Sequence, residues 1–262
     1  MTREAQTLAV AFPSHRPHVM TGLVELNVAS AVSPRLSRPH QVSGVLSTVF
    51  DQIGGGTADL ALIRRLASGA REWLLQRAAA LFWKESDWFQ STCASCQTAY
   101  DLPLTLAAAP RKAASVGFPV VKLRTSLGER AFESPNGLHE EALSQLDSGD
   151  PKRALVAECG LGRNPKADAL AFTETDLEAI EAALDAASPD IADEVSTICP
   201  VCKTPAVARI DPLEFAFPRV QNLLAEVHAL AATYHWSEDA ILALPSHRRR
   251  AYASLIKSGS RR

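Results

Sequence analysis

Two pairs of cysteines, Cys93-Ala94-Ser95-Cys96 and Cys199-Pro200-Val201-Cys202, are the residues of this chain best placed for chemistry. The two-residue gap lets both thiolates of a pair turn toward one ion, and two such pairs supply the four sulfurs of a closed tetrahedral zinc shell. A closed shell has no open position for water, which argues against metal-assisted hydrolysis and for a structural role. Disulfides within each pair would close very small loops. Redox cysteine pairs belong at the start of a helix that follows a strand. Neither pair has that context: Cys93 follows an aromatic-rich segment, and Cys202 is followed by Lys203-Thr204-Pro205. One zinc shared by Cys93, Cys96, Cys199 and Cys202 is the expectation. The separation is unusual, since a zinc ribbon has about 15–20 residues between its pairs and this chain has roughly a hundred. Everything between must leave the metal and return to it.

Other reactive residues are less suggestive. Cys159 ends an apolar helical stretch and reads as a buried inert thiol. Glu226 and His228 lie two apart on a predicted helix and do not share a face, so a hydrogen-bonded His228 in a helical core is expected rather than a catalytic pair. Ser237 reads as a helix cap. Gly54-Gly55-Gly56 lacks the Lys-Ser/Thr of a phosphate-binding loop and reads as a hinge. His247, Arg248, Arg249 and Arg250, with Lys257, Arg261 and Arg262, form a basic end on an otherwise slightly acidic chain. Together with Trp236 they are the candidate partner-binding surface, suited to an acidic protein and weakly to nucleic acid.

The elements that must hold these residues follow from periodicity. Residues 1–45, with four prolines among Ser, Arg and His, look extended or partly disordered, with one short strand over Gly22–Val28. A helical pattern runs from Thr57 to Trp83, broken near Ser68-Gly69, and Trp83, Trp88 and Phe89 look like core beside the first cysteine pair. Tyr100–Leu106 alternates as a strand, and Phe118–Thr125 with Ala131–Ser134 makes a hairpin. Helices are expected over 138–146, over 151–159 behind Asp150, and over 174–187, where Thr173 and Asp176 form a capping box. Strands at 193–198 and 206–211 flank the second pair. A helix over 218–234 begins with Pro218 in its first turn, and two more follow, capped by Ser237 and Ser246.

These elements give an α+β chain: a zinc-ribbon-like core of two CxxC knuckles, a long β-hairpin and helix insertion, and a C-terminal helical subdomain. The boundaries are an N-terminal segment 1–45, a zinc-stapled domain 46–212 with insertion 107–192, the helical subdomain 213–257 and a basic tail 258–262. With a formal charge of -2 over 262 residues, there is no general drive toward nucleic acid or anionic membrane. No apolar run reaches the roughly 18 residues of a membrane span. The short run Leu8–Phe12 is broken by Pro13, so no signal peptide is read, and a cytoplasmic location fits the free cysteines.

The order of these features resembles a family of zinc-knuckle proteins encoded among the tail genes of contractile-tailed phages and phage-like contractile injection systems, described as baseplate proteins or baseplate hub assembly chaperones. The likeness lies in Leu223-Leu224-Ala225-Glu226-Val227-His228-Ala229-Leu230-Ala231, then Tyr234-His235-Trp236-Ser237-Glu238, Ile241-Leu242-Ala243-Leu244 and Arg249-Arg250-Ala251-Tyr252. Upstream it continues in Arg71-Glu72-Trp73-Leu74-Leu75, in the turn Phe132–Gly137, and in the knuckle, strand and acid of Cys199–Asp211. It covers residues 45–257. His235 stands where the family commonly has glycine, and Ala131–Ser134 lacks an arginine the family often has there. Residues 1–44 have no counterpart. The resemblance implies a non-enzymatic structural or assembly factor that binds hub, spike or tape-measure proteins and no small-molecule substrate, with incorporation into a tail particle as a further location. A zinc-ribbon nucleic-acid adaptor is the alternative function.

Overall fold

The N-terminal segment departs most from the sequence expectation, because it is helical and sits in the main core. A computed structural model describes residues 2–83, 88–146 and 149–259. Helix α1 (Arg3–Leu8) leads to strand β1 (His15–Pro17), helix α2 (Gly22–Ala31) and helix α3 (Arg38–Val49). Thr21 caps α2 through the Val24 amide, and Pro39 sits in the first turn of α3, where its missing N–H costs nothing. Gly22–Val28 alternates in sequence, yet its buried residues Gly22, Glu25 and Val28 recur at helical spacing. The stretch is a helix rather than the expected strand, with the charged Glu25 turned inward.

A three-stranded sheet of β1, β2 (Phe50–Ile53) and β3 (Gly56–Thr57) follows, in that order. Gly54 and Gly55 both have positive φ, 60° and 76°, so this glycine run is the tight turn of a hairpin rather than a hinge. Helices α4 (Leu60–Arg65) and α5 (Ser68–Ala79) are separated at Leu66-Ala67. They pack with α3 around Val42, Leu46, Ile63, Leu74 and Leu75, and Ile191, Ala208 and Ile210 join the same core from later in the chain.

Strands β4 (Trp88–Thr92) and β5 (Ala99–Pro103) form the hairpin of the first knuckle, followed by a 3-10 turn, Leu106–Ala108. Phe89 and Trp83 pack on Phe215, 5.0 and 4.7 Å between ring centroids. Trp88 is 62% exposed and is not core, because its position in β4 points it away from the sheet's packed side.

Between the knuckles the chain makes a satellite unit with a core of its own. Strand β6 (Arg111–Lys112) opens it. Strands β7 (Val120–Thr125) and β8 (Gly128–Glu133) form the hairpin, and helices α6 (Gly137–Leu143), α7 (Pro151–Cys159), α8 (Pro165–Ala171) and α9 (Glu174–Ala187) follow. Its core holds Phe132, Val156, Phe172, Leu177, Ile180 and Leu184. The capping box of α9 is formed as its sequence indicates. Strand β9 (Asp190–Ile191) returns and pairs antiparallel with β6, Arg111 opposite Ile191, which closes the unit at a neck. Gly69 of α5 lies against that neck: a Cβ there would sit 2.0 Å from the Pro189 carbonyl oxygen.

Strands β10 (Glu194–Ile198) and β11 (Pro205–Arg209) carry the second knuckle. Helices α10 (Pro212–Phe215), α11 (Val220–Tyr234), α12 (Glu238–Ala243) and α13 (Ser246–Gly259) complete the chain. Arg219 rather than Pro218 precedes α11, and α13 begins at Ser246 itself, so neither proline nor serine plays the expected starting role. Leu223, Val227, Leu230, Ile241 and Leu242 form the C-terminal core with Leu26 of α2 against it. His228 is exposed, contrary to the buried position expected for it. Of the basic tail, residues 260–262 lie outside the described residues. Among the described residues no helix is long and apolar enough to cross a membrane.

Candidate metal centre

The two knuckles are built alike from their hairpins upward. In each hairpin five residue pairs run in register, from Trp88–Pro103 to Thr92–Ala99 in the first and from Glu194–Arg209 to Ile198–Pro205 in the second. The first cysteine follows directly. The Cys93 amide donates to Thr98 O at 3.0 Å and the Cys199 amide to Thr204 O at 3.0 Å. The Gln97 amide donates back to Cys93 O at 2.8 Å, and Lys203 to Cys199 O at 3.0 Å. Gln97 and Lys203 take left-handed φ values of 58° and 60°. The common pattern is therefore Cys-x-x-Cys, a left-handed residue, then Thr.

This turn aims both sulfurs of a pair inward, and the two pairs face each other. Cys93 Sγ lies 3.7 Å from Cys202 Sγ, and Cys96 Sγ 3.7 Å from Cys199 Sγ. All four sulfurs lie within 4.8 Å of one another. A tetrahedral ion with metal–sulfur bonds of about 2.3 Å has sulfur–sulfur edges of roughly 3.8 Å, whereas a disulfide needs about 2.05 Å. All four thiols are free. These two close pairs run between the knuckles, so the cluster is one joint site that could hold one metal ion.

Hydrogen bonding favours the thiolate at two of the four sulfurs. Cys93 and Cys199 are buried beside Tyr100 and Leu102, while Cys202 is exposed. Hydrogen bonding to the Thr98 hydroxyl lowers the Cys96 pKa, and the Thr204 hydroxyl beside Cys202 Sγ, at 3.3 Å, does the same for that thiol, bringing it down to about 6. A lowered thiol pKa favours the thiolate, the form that binds metal.

A second assembly of reactive residues escaped the sequence reading. Cys159 Sγ lies 3.5 Å from His139 Nδ1, and His139 Nε2 lies 3.8 Å from Glu133 Oε2. The order resembles a nucleophile, base and orienting acid, but the setting opposes that chemistry. The thiol is fully buried, burial pushes its pKa up to about 12, and burial lowers that of His139. Cys159 is the buried thiol expected. Only its position in space, next to residues about 20 and 26 positions earlier, could have revealed its partners.

The residues expected to bind partners separate. Arg249 is 1% exposed and leaves the surface set, because its guanidinium is held by Glu25 and Glu226. Arg250 is half-exposed and donates to Glu25 at 2.8 Å. His247 and Arg248 are exposed. Trp236 is half-buried, stacked on Tyr234 at 5.0 Å and edge-on to Tyr252 at 5.1 Å.

Many residues that carry the family resemblance hold the fold together. Arg71 is buried and bonds Ser43 Oγ, Ile63 O, Pro39 O and Glu140. Glu72 and Asp211 both take the Arg38 guanidinium, at 2.6 and 2.7 Å. Scans against family models, curated proteins and solved structures found no match for this chain.

Proposed function

We propose that this chain is a zinc-stapled, non-enzymatic assembly or structural factor of a contractile tail or injection-system baseplate hub. The observation that supports it is the four-thiolate cluster, whose ligands come from two knuckles joined across a long insertion with a core of its own. Cys93, Cys96, Cys199 and Cys202 would hold the ion, and zinc suits four sulfurs at tetrahedral spacing. Bound there, the metal supplies cross-linking of two hairpins and no open coordination position. The baseplate assignment rests on the resemblance of residues 45–257, and its motif residues occupy core and ion-pair positions that support a shared scaffold. Such a factor works through its surface, by binding hub, spike or tape-measure proteins.

The test is metal content by mass spectrometry on the purified chain, with identification of what co-purifies from the native operon. One zinc per chain with tail proteins attached is the expected result. A metal-free, folded protein would remove the staple. Zinc with nucleic acid in place of tail proteins would replace this reading by the nucleic-acid adaptor.

A further inference from the structure

The C-terminal helices leave one long trough open. Its first part, about 570 Å³, runs between α11 and α13. Asn222, Ala225, Glu226 and Ala229 line it from α11, and Arg250, Ala253, Ser254 and Lys257 from α13. Both sets recur at helical spacing, so each is one face of its helix. The small residues at 225, 229, 253 and 254 let a third backbone approach closely. Past Asn222, Glu226 and Arg250 the trough continues into a second depression of about 300 Å³, walled by Phe215, Phe217 and Arg219.

The charge in this trough is unbalanced. Its two acids are already occupied: Glu226 by Arg249, and Glu25 by Arg249 and Arg250. Among the described residues, Arg219 and Lys257 have no carboxylate partner. Helix α13 carries no acid along its length.

We propose that this trough is a docking site for an acidic amphipathic helix of a partner protein. The inference deepens the assembly role and rests on it for the partner's identity. Apolar side chains of the incoming helix would fill the alanine floor beside Ile256, while its carboxylates would pair with Lys257, Arg250 and Arg219 along the two ends. Charge complementarity selects this occupant over the same face of a second copy, which carries the same cations.

The probe is a labelled peptide with the sequence of residues 173–187 of this chain, an amphipathic stretch with acids at Glu174, Asp176, Glu178, Glu181 and Asp185. Its control has those acids replaced by Gln and Asn. Anisotropy with the full metal-loaded chain should show saturable binding by the acidic peptide that weakens as salt rises. The neutral control, and the variants Lys257→Glu and Arg219→Glu, should each bind about tenfold more weakly, as expected when a charge pair at an interface is lost. Lys122→Glu, on the distant β7, should change nothing. Ala229→Trp should block the trough; if it fails to fold, the surface charge reversals carry the test. Equal binding of both peptides, no binding, or indifference to the reversals overturns the proposal. So does dimerisation, or capture of a single-stranded DNA 20-mer, that Lys257→Glu abolishes while the peptide stays unbound. Co-purification of tail proteins that survives both reversals would remove the trough and leave the assembly role standing. Peptide binding by a protein that captures no tail protein would do the reverse.

Discussion

Arg249 and Glu25, 224 residues apart in sequence, form a buried ion pair that joins the last helix to the second. Their side chains are 1% and 3% exposed. Glu226 takes the Arg249 Nε at 3.2 Å, and Arg250 completes the network from the surface. Gly22 makes room for it, since a Cβ there would lie 2.7 Å from Arg249 Nη1 and 2.9 Å from the Leu242 Cα. A buried charge with its partner removed keeps its desolvation cost and loses its compensation.

Arg249→Ala should therefore destabilise the protein by about 3–5 kcal/mol. The paired change Arg249→Met with Glu25→Leu should cost far less than the sum of the single changes. Chemical denaturation of the three variants checks this, and additive costs would show that the two side chains are not coupled.

Loss of a cluster ligand should act on metal content and stability together. Cys93→Ser and Cys202→Ser should fall below one metal per chain and lower Tm by roughly 10 °C, about 3–4 kcal/mol at this chain length. Cys159→Ala should retain full metal and lose about 1–2 kcal/mol. Elemental analysis beside thermal melts distinguishes the two classes; a serine variant with unchanged metal and melting would dissolve the staple.

Asp176 gives a pH signature to the insertion. Its carboxylate accepts from the Ser126 hydroxyl at 2.6 Å and the Ser126 amide at 2.8 Å, and then from Thr173 Oγ1 and N. The Ser126 hydroxyl first, and then these other donors, hold its pKa well below the usual carboxylate range. A lowered folded-state pKa stabilises above the unfolded value, near pH 4, and that contribution is lost as pH falls toward the folded value. The Tm gap between the parent and Asp176→Asn should thus be widest near pH 7 and narrow below about pH 4. A gap independent of pH would mean that the carboxylate's charge is not what matters there.

His235 ends α11 in the left-handed conformation, φ 57° and ψ 29°, with its amide on Ala231 O at 2.9 Å. A residue with a Cβ is disfavoured there, and glycine is not. His235→Gly should raise stability by about 0.5–1 kcal/mol, read from the midpoint of urea unfolding. This is the position where the resembling family commonly has glycine.

What could be read from sequence, and what could not, follows the range of the interactions involved. Local signals were legible: Thr173 with Asp176, Asp150 with Pro151, the strands entering and leaving Cys199 and Cys202. The cysteine pairs were legible too, because two residues between thiols constrain a metal site however far apart the pairs lie. The N-terminal segment was not. Its helices are tied to later elements by Glu25 meeting Arg249 and Arg38 meeting Glu72 and Asp211, and a lone charged residue in sequence reads as surface. The same rule placed Arg249 outside when it belongs inside. Trp88 failed in the opposite direction, a large apolar residue left in solvent on the open side of a two-stranded hairpin.

The distance between the two knuckles also sets an order for events during synthesis. Cys202 lies 109 residues after Cys93, and at translation rates of about 5–20 residues per second the second pair follows the first by roughly 5–20 s. During that interval the first pair can offer an ion only two sulfurs. The satellite unit between the knuckles, with its core drawn from Val121 to Ala187, has every residue of that core in hand before the second pair emerges. The order of synthesis thus makes the satellite core available before the metal site is complete, and the metal site before Arg249, for which Glu25 has to wait.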